Sequence, residues 1–300
     1  MKKKIGMLFL WVILTIGCGV AIWIYSDKGI ALGEAIAGAL IAIFIERVVI
    51  AFQDLWDTSN WKTSQRRLKR GGFIADDTVV RISFAYLYRI KIGNKYLLVQ
   101  NTRNTGKYQP VGGVYKFKDE EKEELKNRFH VMDDDKILID KSSKNDYRLR
   151  MENRYLRKFM NRFDSGKAQR ECIDNLGREF KEELIDTGIV SWTQIQYRYC
   201  GRHISELKFG EHFQIYELQL ADVIELIPTS EQETDLQRML SCPSEKYRFA
   251  TAEQIACLGM DTESGELYEW IGDHTKTILQ ENEGRLVKSY VIGKTYTISI

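Results

Sequence analysis

The chain opens with two long apolar runs. From Ile5 to Tyr25, 21 residues carry no charge. At about 1.5 Å per residue such a helix reaches roughly 31 Å, about the thickness of a bilayer's hydrocarbon core. Ser26-Asp27-Lys28 makes a short polar turn. A second run, Gly29 to Ile45, is interrupted only by Glu34 and is closed by Glu46-Arg47. Two spans joined by so short a turn predict a transmembrane helical hairpin over residues 1–50. Lys2, Lys3 and Lys4 precede it, and Lys62, Arg66, Arg67, Lys69 and Arg70 follow it. The positive-inside rule then places both chain termini in the cytoplasm. A signal peptide would share the basic start, and Thr15-Ile16-Gly17-Cys18 faintly resembles a lipoprotein cleavage site. The residues after Cys18 stay apolar, however, and a second span follows, which favours the hairpin.

Gly29, Gly33 and Ala37 recur every four residues in the second span, with Gly38 and Ala42 nearby, a spacing that lets helices approach closely. Glu34 has two readings. In mid-bilayer a carboxylate costs roughly 2.5–3.5 kcal/mol on insertion scales and belongs in a helix interface or polar path; near the interface it simply reaches water. Residues 51–75 read as a junction. Glu46–Trp56 continues the second helix, Trp56 and Trp61 are expected at headgroup level, and the basic cluster 66–70 suits anionic lipid or is a solvated flank. Gly71-Gly72 then reads as a break before a domain spanning 76–300.

In that domain, Thr78–Ile90 and Lys95–Gln100 flank Gly93-Asn94 and predict a β-hairpin. Gln109–Val114 reads as a tight turn into a short strand. Helices are expected at 118–130, about Tyr147–Phe163, Ala168–Ile185, Glu231–Leu240 and Trp270–Gln280. Strands are expected near Lys136–Asp140 and at Thr193–Cys200, His212–Leu220 and Lys288–Ser299, with Phe249–Ile255 as strand end, cap and helix start. Hairpins mixed with helices give an α+β fold with a mixed sheet. The expected 147–163 helix carries an apolar stripe (Leu149, Leu156, Phe159, Met160, Phe163) and a basic one (Arg150, Arg154, Arg157, Lys158), either solvated or phosphate-binding.

Charge sharpens the division. Overall, 44 basic residues face 42 acidic ones, too even for a protein that binds a nucleic acid polymer by bulk charge. Residues 1–75 hold ten Lys/Arg against five Asp/Glu, net +5, and the rest is net −3. The five cysteines (Cys18, Cys172, Cys200, Cys242, Cys257) are odd in number and lack CxxC spacing. They fit neither a disulfide framework nor a tetrathiolate zinc site, and suit a reducing compartment. His130, His203, His212 and His274 show no ligand spacing, and no Ser/His/Asp set is legible. Cys200 and His203, three apart on a strand end, diverge.

The chemistry concentrates in Arg178-Glu179-Phe180-Lys181-Glu182-Glu183-Leu184. On a regular helix Glu179, Glu182 and Glu183 fall on one face, within an arc of about 100°. Three carboxylates there are either a solvated face or hard oxygen ligands for Mg²⁺ or Mn²⁺, which could bind a pyrophosphate and activate water. Arg178 is spaced to pair with Glu182.

With the upstream Pro110-Val111-Gly112-Gly113 turn and the downstream Thr187-Gly188-Ile189, this helix resembles the signature of the Nudix superfamily. The resemblance covers roughly 78–285 and implies a mixed-sheet α/β/α domain. Here 52 residues (114–165) intervene between turn and helix, Gly188 comes three residues late, and position 170 is Arg with Glu171 one step off the signature's earlier Glu. The resemblance implies metal ligands Glu179, Glu182 and Glu183, with Glu182 and Glu183 catalytic if the domain hydrolyses.

The hairpin, the insertion and the stretches Asp146–Arg150 and Arg170-Glu171 resemble the SMODS-associated Nudix effectors of bacterial CBASS anti-phage systems. That implies an inner-membrane protein, sensing of a cyclic oligonucleotide made by a partner nucleotidyltransferase, and membrane damage by an oligomerising hairpin. Gly112, Gly113, Arg148, Arg150, Arg154 and Arg178 are the expected nucleotide-binding residues, and Glu34 the residue of membrane function. The alternatives are a membrane-anchored Nudix hydrolase acting on a nucleoside diphosphate derivative, and a catalytically dead adaptor.

Overall fold

The computed structural model describes residues 2–56, 60–101, 106–137, 143–242, 244–260, 269–279 and 293–300. It divides into two compact units, Met1–Arg67 and Leu68–Ile300.

The first unit is built on α1 (Lys2–Asp27) and α2 (Ala31–Trp56). Both contain stretches long and apolar enough to span a membrane, Ile5–Asp27 and Ala31–Phe52. Gly29, at φ 66°, makes the turn between them. The two helices pack along one another, with Trp11 and Phe44 rings 5.8 Å apart. A Cβ at Gly33 would fall 2.8 Å from the Tyr25 ring, so glycine is required where that ring crosses. Phe9, Ile13, Ile16, Trp23, Leu32 and Ile36 point outward, an apolar surface suited to lipid. Glu34 lies in the first turn of α2, at the turn end of the hairpin and away from mid-span. There the helix dipole favours a negative charge, and the cost of burial in lipid is least.

A third helix, α3 (Asn60–Arg70), buries Trp61, Ser64 and Gln65 at helical spacing. Trp61 is only 2% exposed, so its ring packs within the protein. The helix ends at the glycine pair: Gly72, at φ 72°, donates to the Lys69 carbonyl and Phe73 to that of Leu68, a paired C-terminal closure.

The second unit is a mixed α+β domain around an eight-stranded sheet. Its strands are β1 (Val79–Arg89), β5 (Gly112–Val114), β6 (Met132–Asp133), β7 (Arg148–Glu152), β8 (Gln194–Ile204), β9 (Lys208–Gly210), β10 (Ile215–Leu226) and β12 (Thr295–Ser299). The order is β12-β8-β10-β1-β7-β6, with β5 on β1 and β9 on β10. β1 and β10 run parallel and the other pairs are antiparallel. A smaller sheet joins β2 (Lys91–Ile92), β3 (Lys95–Gln100), β4 (Tyr108–Gln109) and β11 (Tyr247–Thr251). The helices are α4 (Asp119–Phe129), α5 (Asn153–Asp164), α6 (Gly177–Phe180) with a wide π turn at Lys181–Ile185, α7 (Ser230–Ser241), α8 (Ala252–Ala256) and α9 (Thr275–Leu279).

Several elements depart from the sequence pattern. The expected long hairpin breaks at Ile90: only Lys91–Ile92 folds back on β3, while β1 becomes a central strand of the other sheet. Val80, Ile82, Phe84, Tyr86, Leu87 and Tyr88 are all buried along β1. A strand covered on both faces carries no alternation from which to read its sheet. The expected 147–163 helix splits, because Leu149 and Met151 are buried in alternation with Arg148 and Arg150; that stretch is β7, paired with β1, and only Asn153–Asp164 is helical. The helix expected from Ala168 begins at Gly177. Strand β10 starts at Ile215 rather than His212, and α9 at Thr275 rather than Trp270. Residues 138–142 and 280–292, parts of two expected strands, lie outside the described residues. The capping boxes Thr229/Gln232 and Thr251/Gln254 open α7 and α8.

The insertion is structured, supplying α4, β6, β7 and α5. Phe84 of β1 packs on Phe163 and Phe159 of α5 at 4.8 and 5.9 Å. Fully buried Glu121 receives both arms of Arg162, and buried Arg81 of β1 reaches Asp134 and Glu217. Asp222 of β10, also fully buried, accepts from Arg202, Tyr115 and Tyr199. These buried charges are thus paired, as a low-dielectric interior favours.

Candidate functional site

The site lies where β5 meets the α6–π segment. Phe180 and Leu184, at i and i+4, are fully buried, Phe180 against Tyr88 and Trp192. That anchoring turns Glu179, Glu182 and Glu183 the other way. The π turn is closed by the Asp186 N–H on the Lys181 carbonyl, and wide turns of this kind recur at functional positions. The three carboxylates are graded in depth. Glu179 keeps 13% of its side-chain surface and Glu182 48%, while Glu183 turns inward and accepts the Gly112 N–H at 2.8 Å.

Glycine is required at 112, and at 113 it leaves room for the Glu179 carboxylate. Gly112 has φ 136°, and a Cβ there would fall 2.3 Å from the Tyr86 carbonyl oxygen. A Cβ on Gly113 would fall 2.1 Å from Glu179 Oε1. The turn expected to meet nucleotide therefore clasps the carboxylate segment.

Arg178 is the hub. Its Nε donates to Glu171 Oε1 at 2.7 Å and its Nη2 to the Val114 carbonyl at 2.8 Å. Its Nη1 lies 2.7 Å from Glu179 Oε1 and 3.3 Å from Glu182 Oε2. The sequence spacing gave only the Glu182 contact. Glu171, outside the residues expected at the site, joins them; its other oxygen accepts the Lys116 N–H at 2.8 Å. In sequence it lay a single step off the signature position, a shift absorbed by an extended approach in which Glu171 N–H donates to the Lys116 carbonyl.

Three carboxylates, Glu171, Glu179 and Glu182, thus contact one guanidinium, and a fourth, Glu183, is held beside them by Gly112. Burial pushes Glu183 up to about 8, against the Gly112 hydrogen bond, with Glu179 and Glu182 adding to the rise. Glu179 is raised too, by burial first, with Arg178 opposing. Among the described residues no three His, Cys, Asp or Glu side chains close around a point fit for a metal ion; Arg178 stands among Glu171, Glu179 and Glu182. In chemistry and charge the donors nonetheless fit a hard divalent cation: all are carboxylates, and they outnumber the one arginine.

The other expected binding arginines do not form one stripe. Arg148 pairs with Asp146 at 3.0 Å, and Lys116 Nζ lies 3.4 Å from the same carboxylate. Burial lifts Asp146 to about 6 despite Arg148, Lys116 and Arg178. Arg150 pairs with Asp135 at 2.8 Å and donates to the Asp133 carbonyl. Arg154 projects from α5 and pairs with Glu152. Arg148 lines a cavity of about 70 Å³ within the insertion, with Lys122, Lys144 and Asp134.

A mixed sheet whose Gly-Gly turn clasps an Arg-Glu-Phe-Lys-Glu-Glu segment defines a Nudix-type domain. The family model described as the SMODS-associated NUDIX domain matches residues 79–279, from the first residue of β1 to the last of α9. The chain belongs to that family. The match runs through the insertion, and Nudix domains generally use divalent metals. No curated protein matches the chain.

Proposed function

We propose that this protein is the effector of a CBASS antiviral system: its Nudix-type domain senses a cyclic oligonucleotide and its hairpin disrupts the bacterial inner membrane. One observation carries the reading, the union in one chain of a SMODS-associated Nudix domain with two helices able to span a membrane. The family's association with SMODS nucleotidyltransferases supplies the messenger's source. Both termini lie in the cytoplasm, and the hairpin acts as a homo-oligomer. To carry a resting population from 1:99 to 99:1, the messenger must favour the active assembly by about 10⁴-fold.

The site residues have stated tasks in this reading. Arg178 fixes Glu171, Glu179 and Glu182. Gly112 holds Glu183, which keeps its proton at neutral pH in the metal-free site and releases it where a divalent cation binds. Glu179, Glu182 and Glu183 would hold Mg²⁺ or Mn²⁺, which supplies positive charge for phosphate oxygens. Arg148, Arg150 and Arg154 receive the phosphodiester ring around the insertion. Glu34 acts at the turn end of the hairpin. The intact Glu179, Glu182 and Glu183 set favours a second reading, an anchored hydrolase of nucleoside diphosphate derivatives with Glu182 and Glu183 in catalysis.

The test incubates the full chain, in micelles and in vesicles, with Mg²⁺ or Mn²⁺, cyclic di- and trinucleotides and nucleoside diphosphate sugars. Mass spectrometry reads retention and cleavage, and an entrapped dye reads leakage. Retention of one cyclic species with leakage is the expected result. Turnover of a linear pyrophosphate with no cyclic species held would overturn the effector reading in favour of the hydrolase.

A further inference from the structure

Helix α6 has only four residues before the π turn, and its preceding residue, Leu176, has no side chain that can cap it. So short a helix cannot hold its own geometry, and its first N–H groups need outside partners. Those partners come from the sheet beneath. The Glu179 N–H donates to Tyr86 Oη at 3.3 Å. Tyr88 Oη donates to the Leu176 carbonyl at 2.7 Å, and the Leu176 N–H donates to Tyr197 Oη at 3.1 Å. Tyr197 Oη donates in turn to the Ile173 carbonyl at 2.8 Å.

Tyr86 and Tyr88 project from β1 and Tyr197 from β8, and all three are fully buried. Their rings pack on one another, Tyr88 lying 6.4 Å from Tyr86 and 5.9 Å from Tyr197. Phenylalanine would fill the same volume without burying a hydroxyl, so each oxygen must be justified by its bond. All of these bonds go to one stretch, residues 173–179, which leads into the carboxylates. Two other core tyrosines, Tyr115 and Tyr199, send their hydroxyls to Asp222 instead.

We infer that Tyr86, Tyr88 and Tyr197 are positioning residues, whose hydroxyls clamp the 173–179 segment and thereby set Glu179, Glu182 and Glu183. The inference rests on the reading of those carboxylates as the ligand site. Burial raises all three phenols, so the hydroxyls stay protonated and the clamp holds across physiological pH.

The experiment uses the full chain in detergent micelles, with Tyr86→Phe and the double variant Tyr88→Phe/Tyr197→Phe. Amide hydrogen exchange is read by mass spectrometry on peptides covering 173–183 and, as control, β10. Mn²⁺ binding is read by electron paramagnetic resonance. Exchange in 173–183 should quicken roughly tenfold in the double variant, the effect of leaving a buried backbone group unpaired. β10 should be unchanged, and Mn²⁺ should bind several-fold more weakly. Equal loss of protection in both peptides would make the tyrosines ordinary core residues and overturn the inference. So would unchanged exchange, or unchanged Mn²⁺ affinity beside local loss. Local loss in a protein that binds no Mn²⁺ even as wild type would support the clamp and overturn the cation reading alone.

Discussion

Glu183→Gln should stabilise the protein, and increasingly so as the pH rises. In the folded domain Glu183 holds its proton up to about 8 because burial disfavours the carboxylate; in the unfolded chain a glutamate titrates near 4.3. Below about pH 4 both states are protonated and the residue adds no pH dependence. Between the two values the unfolded chain releases a proton that the folded one keeps, so stability falls as pH rises; above about 8 the loss is complete. At 1.36 kcal/mol per unit, a gap of between three and four units bounds the loss at about 5 kcal/mol, of which roughly 3–4 is incurred by pH 7. Residual solvation lowers both figures. Glutamine keeps an oxygen for the Gly112 N–H and has nothing to titrate. The variant should therefore melt with wild type near pH 4 and above it at pH 8, by about 2–4 °C for each kcal/mol recovered. Thermal melts of both proteins in micelles with EDTA, from pH 4 to 9, make the comparison. Two curves with a constant separation would show that Glu183 is not held protonated, and the electrostatic account of the site would fall.

Glu182, half-exposed and paired with Arg178, can change with little structural cost. Glu182→Gln should abolish pyrophosphate turnover if the protein is a hydrolase, while cyclic nucleotide retention by mass spectrometry persists in part. Gly113→Ala should push Glu179 from its place, because the new Cβ would overlap its carboxylate; a loss of about 1–3 kcal/mol in denaturant melts and weaker Mn²⁺ binding are expected. Glu34→Ala should reduce induced toxicity in cells at equal expression; unchanged toxicity would remove this residue from the membrane function.

The two N-terminal helices were legible because length and apolarity are local properties, and the three polar residues between the runs marked the turn. The carboxylate segment was legible too, as its residue types sit in one short stretch with a Gly-Gly turn upstream. Capping boxes at Thr229 and Thr251 are likewise local, and their helices were placed nearly correctly.

Tertiary structure decided everything that depended on partners distant in sequence. Whether Leu149 and Met151 belonged to a helix or a strand turned on β1 lying beside them, since buried apolar residues satisfy either period over so short a stretch. The depth of each carboxylate followed from Gly112 and Gly113, some 70 residues away, and from a π turn that no local pattern announces. Glu171 joined Arg178 only through an extended approach along Lys116. The sequence supplied the groups and two helices long and apolar enough to span a membrane. Their distances, their protonation and the hydroxyls that hold them came from the sheet, because burial and hydrogen-bond geometry exist only once remote strands have met.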